Sequence, residues 1–588
     1  MDQTDPALLE KLWQILRHPE TVQNLARVGK SCGVGAIRVE PRSLERPPIP
    51  VYLTLQFYEK KPKYPVVPAA NIREGAPCLP EDTPTPNTPP AEGIDPIRRQ
   101  KLDALRAAGR DPFAAERFDV THHATEIAAD FDRLEGHTVL LAGRITSLRL
   151  MGKAAFLDLT DATGRIQLYL RRDEIGDDLY GDIQHHLDLG DIAGISGFVF
   201  KTKTGETSVH VREWTLLAKS LRPLPFGKEY ETEAGEEKHA GGLRDPEQRY
   251  RQRSVDLLVN RESRQRLLGR MTVTRAMREY LDKNDYLEVE TPVLQTIAGG
   301  AAARPFLTHH NALGMELHLR ISLELYLKRL IIGGLDRVYE IGRVFRNEGI
   351  STRHNPEFTM MEVYAAYANL DDMMTLVEGM YRHACRALHA REQFSYQGQE
   401  IDLAPNFARL PILEGIRLNA NVDPEELVTL EAAHAVLTRL GLPTEKEPTV
   451  GGIIEKLHEK YTQPTLIQPT FITDFPTETS PLAKKMPGNP LLTRRFEVYM
   501  AGAELGNAFS EINDPLDQRE RFTAQSDLRA GGDAEAHPMD EDYLRAMEYG
   551  MPPTGGFGGG VDRLAIILTD APSIRDVILF PLLRPERA

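Results

Sequence analysis

At roughly 150 residues per domain, a chain of 588 residues predicts three or four domains, each large enough to bury a core. Hydrophobic content of 41% and charged content of 27% fit a soluble globular protein, while a formal charge of -15 excludes one that coats nucleic acid with its whole surface, so any RNA binding must rest on local patches. Cys32, Cys78 and Cys385 are too few and too far apart for a disulfide framework or a cysteine zinc site; with Asp2 and Asp5 in place of a signal pattern and no apolar run of membrane-spanning length, a cytoplasmic protein without a membrane partner is expected.

In chain order, residues 1–75 read as a small accessory unit. Leu8, Leu9, Leu12, Ile15 and Leu16 recur at helical spacing, and Val51 to Leu55 reads as a strand. Residues 76–94, rich in proline, read as a linker. Residues 95–222 read as a helical lead-in followed by a barrel. Strand-like runs fall at Val139 to Leu150, Ala154 to Leu159, Arg165 to Leu170, Ile192 to Phe200 and Ser208 to Leu217, with a helix at Asp177 to Leu187 between the third and fourth. Five strands with that one helix is the order of an OB-fold. Residues 223–245 hold an acidic stretch, Lys228 to Gly242, read as a solvated surface loop. Residues 246–588 alternate long helices and strands, as in one large mixed domain.

Four segments of that last region carry chemistry. Tyr286 to Pro292 reads by itself as a strand ending at a proline. Val338 to Glu348 reads as a strand, followed by the loop Gly349 to Pro356 and a returning strand from Glu357. Alternation puts Arg346 and Glu348 on one face, and Phe358, Met360, Glu362 and Tyr364 on one face of the partner. An arginine, an aromatic ring and carboxylates around one hairpin can bind a phosphate bidentately and stack a base. In Phe496 to Asp514, Ala501 to Ala503 makes a turn, and Asn507, Phe509 and Glu511 share a face beyond it. Glu497 and Glu504 flank the turn, where their oxygens suit a hard cation such as Mg²⁺. Gly555 to Gly560, taken in isolation a flexible loop, leads to Arg563 in the first turn of a helix, where backbone N–H groups favour phosphate. It lacks the Gly-Lys-Ser/Thr of a Walker loop.

In this order the segments resemble the signature motifs of class II aminoacyl-tRNA synthetases. Tyr286 to Pro292 resembles motif 1, Arg346 to Phe358 motif 2, and the glycine run ending in Arg563 motif 3. Within the class the resemblance is to lysyl-tRNA synthetases of the bacterial, subclass IIb type. It rests on Gly299 to Arg304, Leu323 to Arg329, His354 to Glu362 and Gly506 to Glu511, and it covers roughly residues 95–588. The implied fold is α+β, an N-terminal five-stranded OB-fold barrel that binds the anticodon plus a catalytic domain built on an antiparallel sheet with flanking helices. The implied reaction is ATP-dependent activation of L-lysine to lysyl-adenylate and its transfer to the 3′ end of tRNA-Lys, by a homodimer joined at motif 1, with no DNA partner.

The resemblance also implies roles. Arg346 holds the lysine carboxylate and the α-phosphate, Arg563 the γ-phosphate; these two are the catalytic arginines. Phe358 stacks on adenine, and Glu348, His354 and Asn355 hold the nucleotide. Glu497 and Glu504 bind Mg²⁺. Glu511 and Tyr364, with Glu362 beside them, face the lysine ε-amino group; Glu324 and the Gly300 backbone face the α-amino group; Asn507 and Phe509 complete the lysine site. Phe156, Gln167 and Glu206 meet the U-rich anticodon. Two positions depart from the family pattern, Ala508 where glycine is common and Ser254 where an aromatic is common. A ligase that lysylates a translation factor would lack the barrel. A catalytically dead relative would have lost Arg346, Glu497, Glu504 or Arg563, and an aspartate or asparagine enzyme would want a cation where Glu511 stands. A class I enzyme would carry His-Ile-Gly-His, which is absent.

Overall fold

The computed structural model describes residues 93–586, apart from 227, 232–236, 241, 445–447 and 533–534. Residues 90–588 form one compact unit. The helix expected at Leu8 to Leu16, the strand at Val51 to Leu55 and nearly all of the proline-rich stretch lie outside the described residues.

Helix α1 (Pro96–Ala107) starts where Asp95 accepts hydrogen bonds from the N–H groups of Ile97 and Arg98, with Pro96 at its first position. Strands β1 (Thr138–Met151), β2 (Ala154–Thr160), β3 (Arg165–Arg171), β4 (Ile192–Lys201) and β5 (Thr207–Ala218) close into a barrel in the order β1-β2-β3-β5-β4. Every strand end lies within one residue of the sequence expectation. The reason is strict alternation: Val139, Leu141, Leu157, Leu159, Leu168, Leu170, Ile195, Val209 and Val211 all point inward and are fully buried. Helix α2 (Asp177–His185) contributes Tyr180 and Ile183 to the same core.

The acidic stretch is not only a loop. Lys228–Glu231 pairs antiparallel with Glu237–Ala240, because a charged composition does not hinder a short local ladder of main-chain hydrogen bonds.

The large domain is built on eight strands: β6 (Leu287–Glu288), β7 (Arg337–Phe345), β8 (Glu357–Ala366), β9 (Ala408–Pro411), β10 (Thr470–Thr473), β11 (Arg495–Met500), β12 (Ala503–Ser510) and β13 (Thr554–Gly560). They lie in the order β9-β10-β11-β12-β13-β8-β7-β6. All neighbours are antiparallel except the outermost pairs, β9 with β10 and β6 with β7. Three expectations are corrected here. The strand read across Tyr286 to Pro292 shrinks to two residues, because Thr291 turns to Glu340, bonding its carboxylate through both N–H and hydroxyl, and Pro292 has no donor to give. Strand β7 stops at Phe345, so Arg346 and Glu348 sit in the loop rather than alternating on the strand. The glycine run is not a loop but β13, the centre of the sheet.

One face of the sheet is packed by helices α3 (Arg261–Lys283), α5 (Leu370–His389) and α6 (Val561–Leu568). Met361 and Val363 of β8, Phe496 and Val498 of β11, Ala508 of β12 and Phe557 of β13 meet them there, all essentially buried. At about 1.5–3 kcal/mol per fully buried large side chain, this core is the main force holding the sheet flat against its helices. Helix α5 begins at a capping box formed by Asn369 and Asp372 and ends at Ala390 in the left-handed region. The alternate side chains of the same strands face the other way. Helix α4 (Glu324–Ile332) and the inserted helices Ile412–Ala420, Leu430–Arg439 and Val450–Leu457, which have a core of their own, flank that second face.

Candidate active site

The second face of the sheet floors a cleft of about 610 Å³. Its lining includes Gly300, Glu324, Arg346, Glu348, His354, Asn355, Phe358, Glu362, Tyr364, Glu497, Glu504, Asn507, Phe509 and Arg563. Every candidate residue named in the large domain is there except Glu511.

Register explains the floor. Glu362 on β8, Gly558 on β13 and Asn507 on β12 form one row, and Tyr364, Gly556 and Phe509 form the next. Gly556 and Gly558 have no side chain to fill the space between their neighbours. A Cβ at Gly556 would lie 2.0 Å from Glu511 Oε1 and 2.5 Å from the Tyr364 ring. Glycine is therefore needed at this position for room, while the intervening Phe557 belongs to the core on the far side.

At one end of the cleft stand the two arginines. Arg346 donates from Nε to the Ile321 carbonyl at 3.3 Å, and its guanidinium lies 5.3 Å from the Phe358 ring centroid. It forms no ion pair among the described residues. Arg563 lies in the first turn of α6 and donates to the Glu504 carbonyl at 2.9 Å and to the Glu504 carboxylate at 3.2 Å. His354 Nε2 is 3.4 Å from Arg563. The start of α6 is anchored by Asp562, whose carboxylate accepts from the Thr359 N–H at 2.8 Å and from Arg270 at 2.8 Å. Asn355 is buried and donates to the Glu357 carbonyl at 2.6 Å; its own Oδ1 has no partner among the described residues. Glu348 is exposed at the mouth.

Glu497 and Glu504 flank the turn between β11 and β12, where Ala501 and Gly502 adopt positive φ. Arg495 donates to Glu497 at 2.6 Å and Tyr499 to its other oxygen at 2.5 Å. Burial and then the Glu504 charge push Glu497 up to about 7. A buried carboxylate with a second one beside it suits a cation between them. Among the described residues no group of three or more His, Cys, Asp or Glu could hold a metal, so this pair would need oxygens from a ligand to complete a shell.

At the other end the floor is acidic. Glu362 accepts from the Leu323 N–H at 2.9 Å and from the Tyr364 hydroxyl at 3.0 Å. Burial, then the nearby Glu324 carboxylate, pushes Glu362 up to about 7. Glu511 is fully buried one layer behind the cleft wall, and burial pushes it up to about 8 against the pull of Lys328. Lys328 Nζ donates to Glu324 Oε1 at 2.5 Å and pairs with Glu511. Gly300 has φ of 88°, and its Cβ would lie 2.1 Å from Ser322 Oγ, so only glycine brings this backbone to the rim.

Sequence reasoning missed Lys328, although it lies inside the Leu323 to Arg329 run, four residues after Glu324 and thus on the same helix face. It also missed Arg495, which bonds Asn507 at 3.1 Å and Ser480 at 3.0 Å, reaches Glu455 of the inserted helices at 3.4 Å, and so ties three parts of the cleft together. The two departures are harmless: Ala508 fits fully buried opposite Phe557, and Ser254 is exposed.

On the barrel, Phe156, Gln167 and Glu206 come together on one face. The Phe156 ring centroid is 4.9 Å from that of Tyr169, and Tyr169 is 4.9 Å from His210. Gln167 donates to Glu206 at 3.0 Å and accepts from Ser208 at 3.0 Å. Half-buried Phe156 is thus not barrel core but part of an aromatic surface.

The comparisons agree in both regions. Residues 245–584 match the family model described as tRNA synthetases class II (D, K and N), and residues 139–217 match that described as OB-fold nucleic acid binding domain. The chain is 53% identical over 490 residues to a lysine–tRNA ligase of Moorella thermoacetica, covering 83% of this chain and 97% of that one. It is 51% identical over 492 residues to one of Pelotomaculum thermopropionicum (83% and 94%) and 49% identical over 495 residues to one of Bacillus subtilis (83% and 96%).

Proposed function

The chain belongs to the class II tRNA synthetases (D, K and N), among their lysine–tRNA ligases, and from this we propose how its cleft activates L-lysine with ATP and charges tRNA-Lys. The protein is an ATP-dependent ligase. The observation that carries the reading is the charge pattern of the cleft: Arg346 has no ion-pair partner among the described residues, and the carboxylates of Glu324 and Glu362 lie buried in the same lining. Lysine is charged in the matching sense, its carboxylate toward Arg346 and its ammonium groups toward Glu324 and Glu362.

Arg346 binds the lysine carboxylate and the α-phosphate, and Arg563 takes the γ-phosphate. Phe358 offers its ring to adenine, with Glu348, His354 and Asn355 around the nucleotide. Lysine is ionised at neutral pH, so its carboxylate attacks the α-phosphorus without a general base and pyrophosphate leaves. The chain's contribution is alignment of the two reactants and fixed positive charge where charge builds in the transition state. Glu497 and Glu504 would hold Mg²⁺, which supplies charge neutralisation for pyrophosphate when bound. The ribose hydroxyl of the tRNA then attacks the lysyl-adenylate carbonyl and releases AMP.

Glu324 and the Gly300 backbone receive the α-amino group. Glu362, Tyr364 and, behind them, Glu511 serve the ε-amino group, with Asn507 and Phe509 along the side chain. A protonated carboxyl offers an ammonium a neutral carbonyl acceptor but no opposite charge. With Glu362 at about 7 and Glu511 at about 8, lysine binds by expelling protons. The kcat/KM for lysine is therefore expected to rise with pH through 7 to 8, and a profile that is flat or falling there contradicts this.

On the barrel, Phe156 stacks on an anticodon base while Gln167 and Glu206 read a base edge. Replacing Phe156 with alanine is expected to weaken charging about 5- to 150-fold, from the ~1–3 kcal/mol of one base stack. Lysine-dependent ATP–pyrophosphate exchange should stay unchanged; a parallel loss in exchange would deny Phe156 an anticodon role.

A homodimer fits the large exposed apolar side chains around β6: Leu268 and Met271 on α3, then Leu287, Val293, Leu294 and Leu307. No helix among the described residues is long and apolar enough to cross a membrane. A cytoplasmic enzyme of translation fits the reading. The test is charging itself: purified protein with ATP, lysine and tRNA should form lysyl-tRNA-Lys and leave other tRNAs uncharged.

A further inference from the structure

Lys328 is fully buried on α4, with its ammonium between two carboxylates, Glu324 on its own helix and Glu511 just beyond β12. Neither Lys328 nor Glu511 lines the cleft, whereas Glu324 and Glu362 do. Tyr364, Tyr543, His537 and Arg495 complete the charged and titratable surroundings of this cluster. The acidic end thus holds three carboxylates and one internal ammonium, a net charge of about −2 when all are ionised. An amino acid with two ammonium groups neutralises that charge; its carboxylate is met separately by Arg346.

We infer that Lys328 is a positioning and specificity-determining residue: its ammonium, paired with both Glu511 and Glu324, holds the two carboxylates in place and offsets part of their charge, so that the pocket accepts a dication. This rests on the proposed lysine-activating function. Without Lys328 three carboxylates would face two cations, and the excess charge would be removed by protonating Glu511. The protonated group would then be uncharged, with one oxygen turned donor, where the ε-ammonium needs a charged acceptor. A surplus of negative charge does not improve lysine binding in a buried site; it only adds a proton that must be expelled first.

The test uses three full-length variants, Lys328→Met, Glu511→Gln and the double variant, each assayed by lysine-dependent ATP–pyrophosphate exchange across pH. Lys328→Met is expected to raise the KM for lysine at least tenfold, with kcat and the KM for ATP changed far less. The pH of half-maximal kcat/KM should move up by at least one unit. In the Glu511→Gln background the same substitution should cost less than threefold, because the group it acts through is already neutral. This double variant removes both charges of the pair and keeps the question open should Lys328→Met alone fail to fold. An unmoved pH profile, or losses that multiply in the double variant, would overturn the inference. Failure of the wild-type protein to exchange with lysine would instead count against the functional reading itself.

Discussion

Replacing Arg346 with alanine is expected to slow lysine-dependent ATP–pyrophosphate exchange about 10³-fold or more. The guanidinium is held by a main-chain carbonyl and an aromatic ring, with no carboxylate within ion-pair distance among the described residues. Its charge is thus left for a ligand. In the proposed reaction it touches both reactants, the lysine carboxylate and the α-phosphate, and the phosphorus gains charge as the bond forms. Removing one such preorganised donor costs about 10²–10³ in rate, and loss of the second, substrate-aligning contact adds to it. Arg346→Lys should recover little, since an ammonium cannot make two parallel bonds in one plane. Melting should be nearly unchanged, because few of its bonds are to the protein. Exchange within tenfold of wild type would remove Arg346 from the reaction.

Neutralising Glu511 is the second large effect. Glu511→Gln is expected to lower kcat/KM for lysine about 10²-fold or more, from the ~3–5 kcal/mol that breaking a buried ion pair costs. The structure adds a route that the sequence did not show. Glu511 is one layer behind the cleft and shares Lys328 with Glu324, so its loss also frees Lys328 to oppose the substrate ammonium. Most of the loss should therefore appear in KM for lysine, with KM for ATP unchanged. A loss under about threefold would exclude Glu511 from recognition of the side chain.

The barrel could be read from sequence almost to the residue because it is closed. Each strand has one buried face, so hydrophobic alternation and geometry carry the same information. The returning strand β8 is equally plain in the alternation of Phe358, Met360, Glu362 and Tyr364 against Thr359, Met361 and Val363. The centre of the large sheet is not. Strand β13 is made of glycines, which carry no hydrophobic pattern, and its place is set by neighbours distant in sequence. For the same reason Lys328 and Arg495 escaped notice. A buried cation has no signature in one sequence, and its partners lie as far away as Glu511 and Asn507. The candidate site was legible where a motif quoted whole put several residues on one strand face. It was not where the function of one residue is to hold another.

In the proposed function the cleft selects lysine and joins it to AMP. ATP–pyrophosphate exchange with each of the twenty standard amino acids and with β-lysine tests it most directly. Exchange with L-lysine should lie far above that with every other amino acid and with β-lysine, depend on a divalent cation and fall about 10³-fold or more in Arg346→Ala. Preferential exchange with β-lysine, or no lysine-dependent exchange by folded protein supplied with Mg²⁺, would contradict it.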